Sequence, residues 1–270
     1  MITYKNLVYT DDTFEICTDI EDRTVEKIIL HENCKEIDQR TFEYMPNLKT
    51  VILNKNLKTM GVKAFASCHE LSNINLEDTN LQKIGMHAFC GCNKLKKIKF
   101  PDTISLIGSY AFYLCDFKNI DLSNTKIKTI EKFSFESNKN LETVLFPDTL
   151  KQIKANSFRG CQKLENLDLK NIETIDFTAF AYTNIKELIF PDALRNIFFT
   201  SSEKPPLEKI IYGKFPYAED KEDFQNYVKQ FYPNIEFVCT YIDLDKLLAA
   251  KTSFKQINNI YKENNYIKFS

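Results

Sequence analysis

The sequence predicts a repeat solenoid, in which short parallel β-strands stack into a superhelix closed by a separate module at each end. Three observations carry this reading. An Ala/Ser/Thr–Phe pair recurs at Thr41-Phe42, Ala64-Phe65, Ala88-Phe89, Ala111-Phe112, Ser134-Phe135, Ser157-Phe158 and Ala179-Phe180, and successive phenylalanines stand 23, 24, 23, 23, 23 and 22 residues apart. Five residues before each Phe is an aliphatic side chain: Ile37, Met60, Ile84, Ile107, Ile130, Ile153 and Ile175. After each Phe comes an apolar-alternating segment, as in Leu48-x-x-Val51-x-Leu53 or Leu141-x-x-Val144-x-Phe146. One such coil cannot hide its apolar side alone, but stacked coils bury a continuous ladder.

The elements follow in order. Ile2–Tyr9 and Phe14–Thr18 alternate apolar and polar residues around Asp11-Asp12-Thr13, which predicts a hairpin and a cap over residues 1–24. Nine strands are expected between 25 and 212, starting at Val25–Leu30 and ending at Leu207–Tyr212. Each sends three apolar residues inward and the alternate ones outward. The aliphatic residue before each Phe, and the Phe itself, fill the opposite wall. Thr200–Pro206, with Ser, Lys and two prolines, breaks the rhythm and reads as a linker. Asp223–Phe231 places Phe224, Tyr227, Val228 and Phe231 on one helical face. Pro233 ends that helix and Ile235–Val238 reads as a strand, so 213–239 forms a second cap. Beyond it, Asp243 caps a predicted helix carrying Leu244, Leu247, Leu248, Phe254, Ile257, Ile260 and Tyr261, and 240–270 reads as a helical extension.

The unit is seen best at Ile84–Pro101, I-G-x-x-A-F-x-x-C-x-x-L-x-x-I-x-F-P. It resembles the BspA-type (Treponema pallidum-type) leucine-rich repeat, and the resemblance spans residues 25–212, about 70% of the chain. Gly follows the aliphatic position only at Gly61, Gly85 and Gly108, and the last unit, Ile197-Phe198-Phe199, loses the motif. The resemblance implies a leucine-rich-repeat superhelix with a helix-then-strand C-terminal cap. It also implies a cell-surface or secreted interaction protein, often an adhesin.

Composition excludes several functions. Thirty-six basic and 37 acidic residues give a net charge of −1, which favours neither nucleic acid nor acidic lipid. No stretch of ~18 apolar residues offers a membrane span. Met1–Asp12 lacks the basic and apolar regions of a signal peptide. Of eight cysteines, Cys68, Cys92, Cys115 and Cys161 each stand three residues after a repeat Phe and read as a column of buried free thiols. Cys90-Gly91-Cys92 has no second pair to complete a zinc site. Reduced cysteines without a leader point to the cytoplasm, with the cell surface or secretion as the alternative. His31, His69 and His87 sit at different repeat phases, and no phosphate-binding, metalloprotease or serine-hydrolase motif is present. The expectation is a protein that is not an enzyme and takes no metal or cofactor.

One surface stands out. The outward position between the last two core residues of each strand runs Ile29, Ile52, Asn75, Lys99, Asp121, Leu145, Asp168, Ile189 and Ile211. Nothing in the fold requires an aliphatic there, so Ile29, Ile52, Leu145, Ile189 and Ile211 are the candidate anchors of a binding face, with Lys97 and Lys99 among their polar neighbours. Lys94, Lys96, Lys97 and Lys99 read as a solvated basic edge, and Asp121 and Asp168 as a solvated acidic one. The expected function is a protein–protein interaction module, monomeric or weakly self-associating, that binds a protein partner through the sheet face. A surface adhesin and a self-assembling structural protein are the alternatives.

Overall fold

The computed structural model describes residues 6–9, 24–212 and 221–239. Each coil runs from a front strand through a second, shorter strand and a turn carrying the repeat Phe to the next front strand. Along the front, Asn6–Tyr9, Lys27–Leu30, Thr50–Ile52 and Asn73–Ile74 pair in parallel, rung upon rung. Asn119–Asp121 pairs with Thr143–Leu145, and Glu187–Phe190 with Lys209–Tyr212 and then Glu236–Cys239, again in parallel. Asn6–Tyr9 thus adds a rung; its expected hairpin partner, Phe14–Thr18, lies outside the described residues, as does the helix expected in 240–270. The helix near the C-terminus spans Lys221–Phe231, starting two residues earlier than the periodicity suggests.

Two expectations need correction. The front sheet is not continuous: residues 97–99 and 166–168 are not strands, and they divide it into three pieces. Both segments carry charged or amide side chains of low strand propensity at their outward positions. Both also precede a shortened coil, 22 residues from Leu95 to Phe117 and 21 from Leu164 to Ile185. The two features coincide only at these rungs. The second correction concerns the aliphatic column. Ile37, Met60, Ile84 and Ile107 lie in a second parallel ladder of two-residue strands, and Ile130, Ile153, Ile175 and Ile197 in another of two- and three-residue strands. The last unit, which loses the motif, therefore keeps its place in the stack. Gly85 makes this ladder tight, because a Cβ there would lie 2.5 Å from the backbone of Gly61.

The turns form a third wall. Residues two before and two after the repeat Phe adopt positive φ, at Arg40 and Tyr44, Lys63 and Ser67, Tyr110 and Leu114, Phe133 and Ser137. Left-handed backbone costs a non-glycine residue ~1–2 kcal/mol. What offsets it is a rung-to-rung ladder: the N–H groups of Lys63, Phe65 and Ser67 donate to the carbonyls of Met86, Ala88 and Cys90, and the pattern repeats from coil to coil.

Inside, the seven repeat phenylalanines are buried and stack face to face with centroids 5.2 Å apart at Phe42–Phe65 and 6.2 Å at Phe158–Phe180. The Cys column is buried as the spacing predicts. Each thiol donates to the carbonyl of a Phe in the preceding coil, Cys68 to Phe42, Cys92 to Phe65, Cys115 to Phe89 and Cys161 to Phe135, over 3.0–3.3 Å. At the position before Phe, where other coils place Ala64, Ala88, Ala111 and Ala179, Ser134 and Ser157 bury hydroxyls without a hydrogen-bond partner. Ser134→Ala and Ser157→Ala are therefore expected to stabilise the chain, each by about 1 kcal/mol, seen as a higher urea midpoint at unchanged slope.

Residues 200–206 are docked rather than loose. Arg159 pairs with Glu203 at 2.7 Å and with Glu136 at 2.8 Å, and lies over the Tyr182 ring. Lys204 donates to the Phe231 carbonyl, and the Tyr232 hydroxyl to that of Pro205. Phe199 stacks on Phe177 and on Phe231 of the helix, so the aromatic packing continues into this end.

Candidate binding face

The front strands hold their outward side chains in register, and the neighbours on either side decide which remain open. Ile29 is registered between Val8 and Ile52 and is half-buried. Ile52, with Asn73–Ile74 as its outer strand, is 39% exposed. Ile211 is a correction: it is registered between Ile189 and Val238, and at 5% exposure it offers no open anchor. Leu145 and Ile189 stand at 55% and 63% exposure. They flank Asn166–Asp168, which forms no backbone hydrogen bond to either neighbouring strand. The missing strand opens a hollow of about 820 Å³ lined by Thr143, Leu145, Asn166, Asp168, Glu187, Ile189 and Ile211 among others. The sequence-predicted anchors therefore do not form one patch. Ile29 and Ile52 sit in one piece of the sheet, Leu145 and Ile189 around the hollow in the other half.

The charges resolve into pairs across the coils. Lys99 meets Glu77 at 2.9 Å, Lys94 meets Glu70 at 2.8 Å and Lys96 meets Asp116 at 3.6 Å, while Lys97 is exposed. The basic edge is thus matched by acids on adjacent coils. In the hollow, Asp168 faces Lys170 at 3.5 Å and Glu187 faces Lys209 at 2.9 Å. Asp192 also lines it, leaving its lining with more carboxylates than cations. Asp121 accepts from the backbone and hydroxyl of Ser123. Sequence reading missed the hollow and its polar lining. The one available signal was the shortened coil after Leu164.

Groups with acid–base or metal chemistry are dispersed. His69 Nδ1 lies 2.9 Å from the Gly91 carbonyl, and His87 stacks on Tyr110 at 4.6 Å, where burial first and Lys63 second push its pKa down. No group of three or more His, Cys, Asp or Glu positioned to hold an ion occurs among the described residues. Nor, among them, is any helix long and apolar enough to cross a membrane. Burial pushes the Cys68 thiol up to about 12 and raises those of Cys92, Cys115 and Cys161 as well. Cys90 is raised by burial too but is half-exposed. Peptide mapping after brief alkylation of native protein should therefore find Cys90 modified ahead of the four column thiols, which react once the chain is unfolded. Equal native labelling of all five would contradict the column.

Known proteins share the coil. A leucine-rich repeat protein of Bacteroides ovatus is 21% identical with a TM-score of 0.55, and the match covers 70% of this chain and 63% of that one. The leucine-rich repeat protein of T. pallidum is 20% identical, TM-score 0.37, over 76% and 83%. A leucine rich cell surface protein of Faecalibacterium prausnitzii is 14% identical, TM-score 0.34, over 95% and 90%. The chain thus spans less than two thirds of the B. ovatus protein, and at these identities the likeness is one of fold. No curated protein sequence matches it. The sequence profile described as the BspA type leucine rich repeat region does match, in six copies over residues 20–128 and 82–204. With its recurring Ala-Phe turns, buried Cys column and parallel rungs, the chain belongs to the BspA-type leucine-rich-repeat family.

Proposed function

We propose that this chain is a non-catalytic interaction module that binds a protein partner through its front face, at the hollow between Leu145 and Ile189. One observation carries the reading. Two large aliphatic side chains stand open on either side of a rung whose backbone has no strand partner. A partner that covers the apolar groups removes them from water, and the backbone of the open rung offers it hydrogen bonds in exchange for those made to water. Each aliphatic contributes ~1.5–3 kcal/mol on burial, so losing one weakens binding by roughly 10- to 100-fold.

The test begins with affinity capture by the intact chain from lysate of its own host, followed by mass spectrometry. Ile189→Asp and Leu145→Asp are then expected to weaken binding of the captured protein by at least tenfold, measured by calorimetry, with the thermal unfolding of the chain unchanged. Normal binding by both variants would move the recognition surface elsewhere. The burial of the thiol column Cys68, Cys92, Cys115 and Cys161 supports a setting in a reducing compartment. A surface adhesin is the alternative setting for the same face, and cell fractionation with surface proteolysis separates the two. Self-assembly would instead show as a mass that rises with concentration in light scattering.

A further inference from the structure

We infer that Arg159 is a clasp that holds the end of the solenoid shut, and that its release frees residues 199–206 together with the rungs and cap that follow, while the coils before them stay folded. This goes beyond the interaction reading and stands whichever surface takes the partner. The last coil lacks what fastens the others. Its second strand pairs in the register Thr174↔Asn196 and Asp176↔Phe198, an offset of 22 residues. At that offset Ser202, which is exposed, falls in phase with the buried Phe180, so the phenylalanine column ends there. The main-chain ladder of the turns ends as well. Phe158 and Gly160 still donate to the carbonyls of Ala179 and Ala181, but among the described residues no backbone bond joins 178–182 to 200–204.

Side chains take over at this corner. Glu203 shares a phase with Arg159 two coils earlier, and the residue between them in that column is the small, buried Ala181. The guanidinium reaches across that coil. Its Nε and Nη2 donate to the two Glu203 oxygens at 2.7 and 2.9 Å, and the Tyr182 hydroxyl donates to the same carboxylate at 3.2 Å. Nη1 is tied back to the buried Glu136 at 2.8 Å. A forked arginine–carboxylate pair inside a network is the kind of ion pair that stabilises even near the surface. Phe199 on Phe177 and the Thr200 hydroxyl, 3.3 Å from that of Thr178, are the neutral contacts back to the stack. Onward, the segment holds the cap through Phe199 on Phe231, Lys204 on the Phe231 carbonyl and Pro205 on the Tyr232 hydroxyl. It also joins the coil that carries Ile189 to the rung that carries Ile211, so the clasp secures the far wall of the hollow.

Hydrogen–deuterium exchange of the intact chain, read by mass spectrometry, tests this with Glu203→Gln, which keeps the size of the side chain and removes its charge. Amides of 207–212 and 225–239 are expected to exchange faster than in the parent by about tenfold or more, the factor for one charge-assisted pair lost. Those of 119–145 should keep the parent rates. Arg159→Lys, which leaves a cation beside Glu136 but has no fork, should give the same pattern. The two substitutions together should do no more than the larger of them alone, because both break one interaction. Unchanged rates in either 207–212 or 225–239, an equal rise in 119–145, or additive effects of the two substitutions would each overturn the clasp. No partner enters this measurement, so its failure is separate from failure of the Ile189→Asp binding test.

Discussion

Phe112→Ala is expected to lower the stability of the chain by about 3–5 kcal/mol, out of the ~5–15 kcal/mol typical of a folded domain. The ring is fully buried at the middle of the stack. It lies 5.3 Å from Phe89 and 5.5 Å from Phe135 in the two adjacent coils, with Phe100 and Phe117 edge-on against it. Truncation removes contacts on four sides at once, and the main-chain ladders on either side prevent the coils from collapsing into the space. In a solenoid each coil is held chiefly by its neighbours, so a weak central interface also divides the array. Urea unfolding followed by circular dichroism should show a lower midpoint and a shallower or two-step transition. A midpoint equal to that of the parent would mean that the phenylalanine column does not carry the stack.

Asn138→Leu is the second large effect. Asn138 stands where four other coils have the buried cysteine, and it does more than the thiol. Its Nδ2 donates to the carbonyls of Phe112 and Phe135 at 2.8 and 2.9 Å, and its Oδ1 accepts the N–H of Phe117 at 3.3 Å. Leucine keeps the branching and heavy-atom count but deletes all three bonds in a fully buried place. A buried group left without a partner costs ~1–3 kcal/mol, and loss of both the donor and the acceptor roles should total about 2–4 kcal/mol. Asn138→Cys restores one bond, from the thiol to the Phe112 carbonyl as in other coils, and loses the bond to the Phe135 carbonyl and the acceptor role. The expected order of urea midpoints is parent, then Asn138→Cys, then Asn138→Leu. Equal midpoints for the two variants would show that the bond to the Phe112 carbonyl contributes nothing to stability.

The parts of this molecule that spacing determines were legible, and those that depend on neighbouring backbone were not. The Phe and Cys columns follow from a side chain returning to the same phase each coil, which needs nothing but the sequence interval. The second ladder was invisible as a strand, since one aliphatic residue per coil looks the same whether its backbone pairs or only its side chain packs. Ile189 and Ile211 occupy identical pattern positions, yet one is open and the other buried, because Ile211 has a strand on each side and Ile189 faces the unpaired rung. The strained turns hid for a different reason. Only Gly91 and Gly160 carry the residue type that advertises positive φ, whereas Tyr110, Phe133 and their equivalents adopt it under the pull of the inter-coil hydrogen bonds.

The turn wall gives the molecule a polarity that its net charge of −1 conceals. In the coils of Phe42, Phe65, Phe89, Phe112 and Phe135 the N–H groups at the repeat Phe and two residues to each side donate toward the C-terminal end, as do those of Phe158 and Gly160, and the accepting carbonyls face back. Their peptide dipoles, ~3.5 D each, add along the solenoid axis instead of cancelling. By this direction the wall ends in carbonyl oxygens on the Arg40–Tyr44 side and in N–H groups on the Phe177–Tyr182 side. Asp176 already meets this second end, its carboxylate accepting the Thr178 N–H at 3.0 Å. Two such walls placed end to end match only donor to acceptor, head to tail. A coil duplicated within the array would lengthen the dipole without disturbing either terminus.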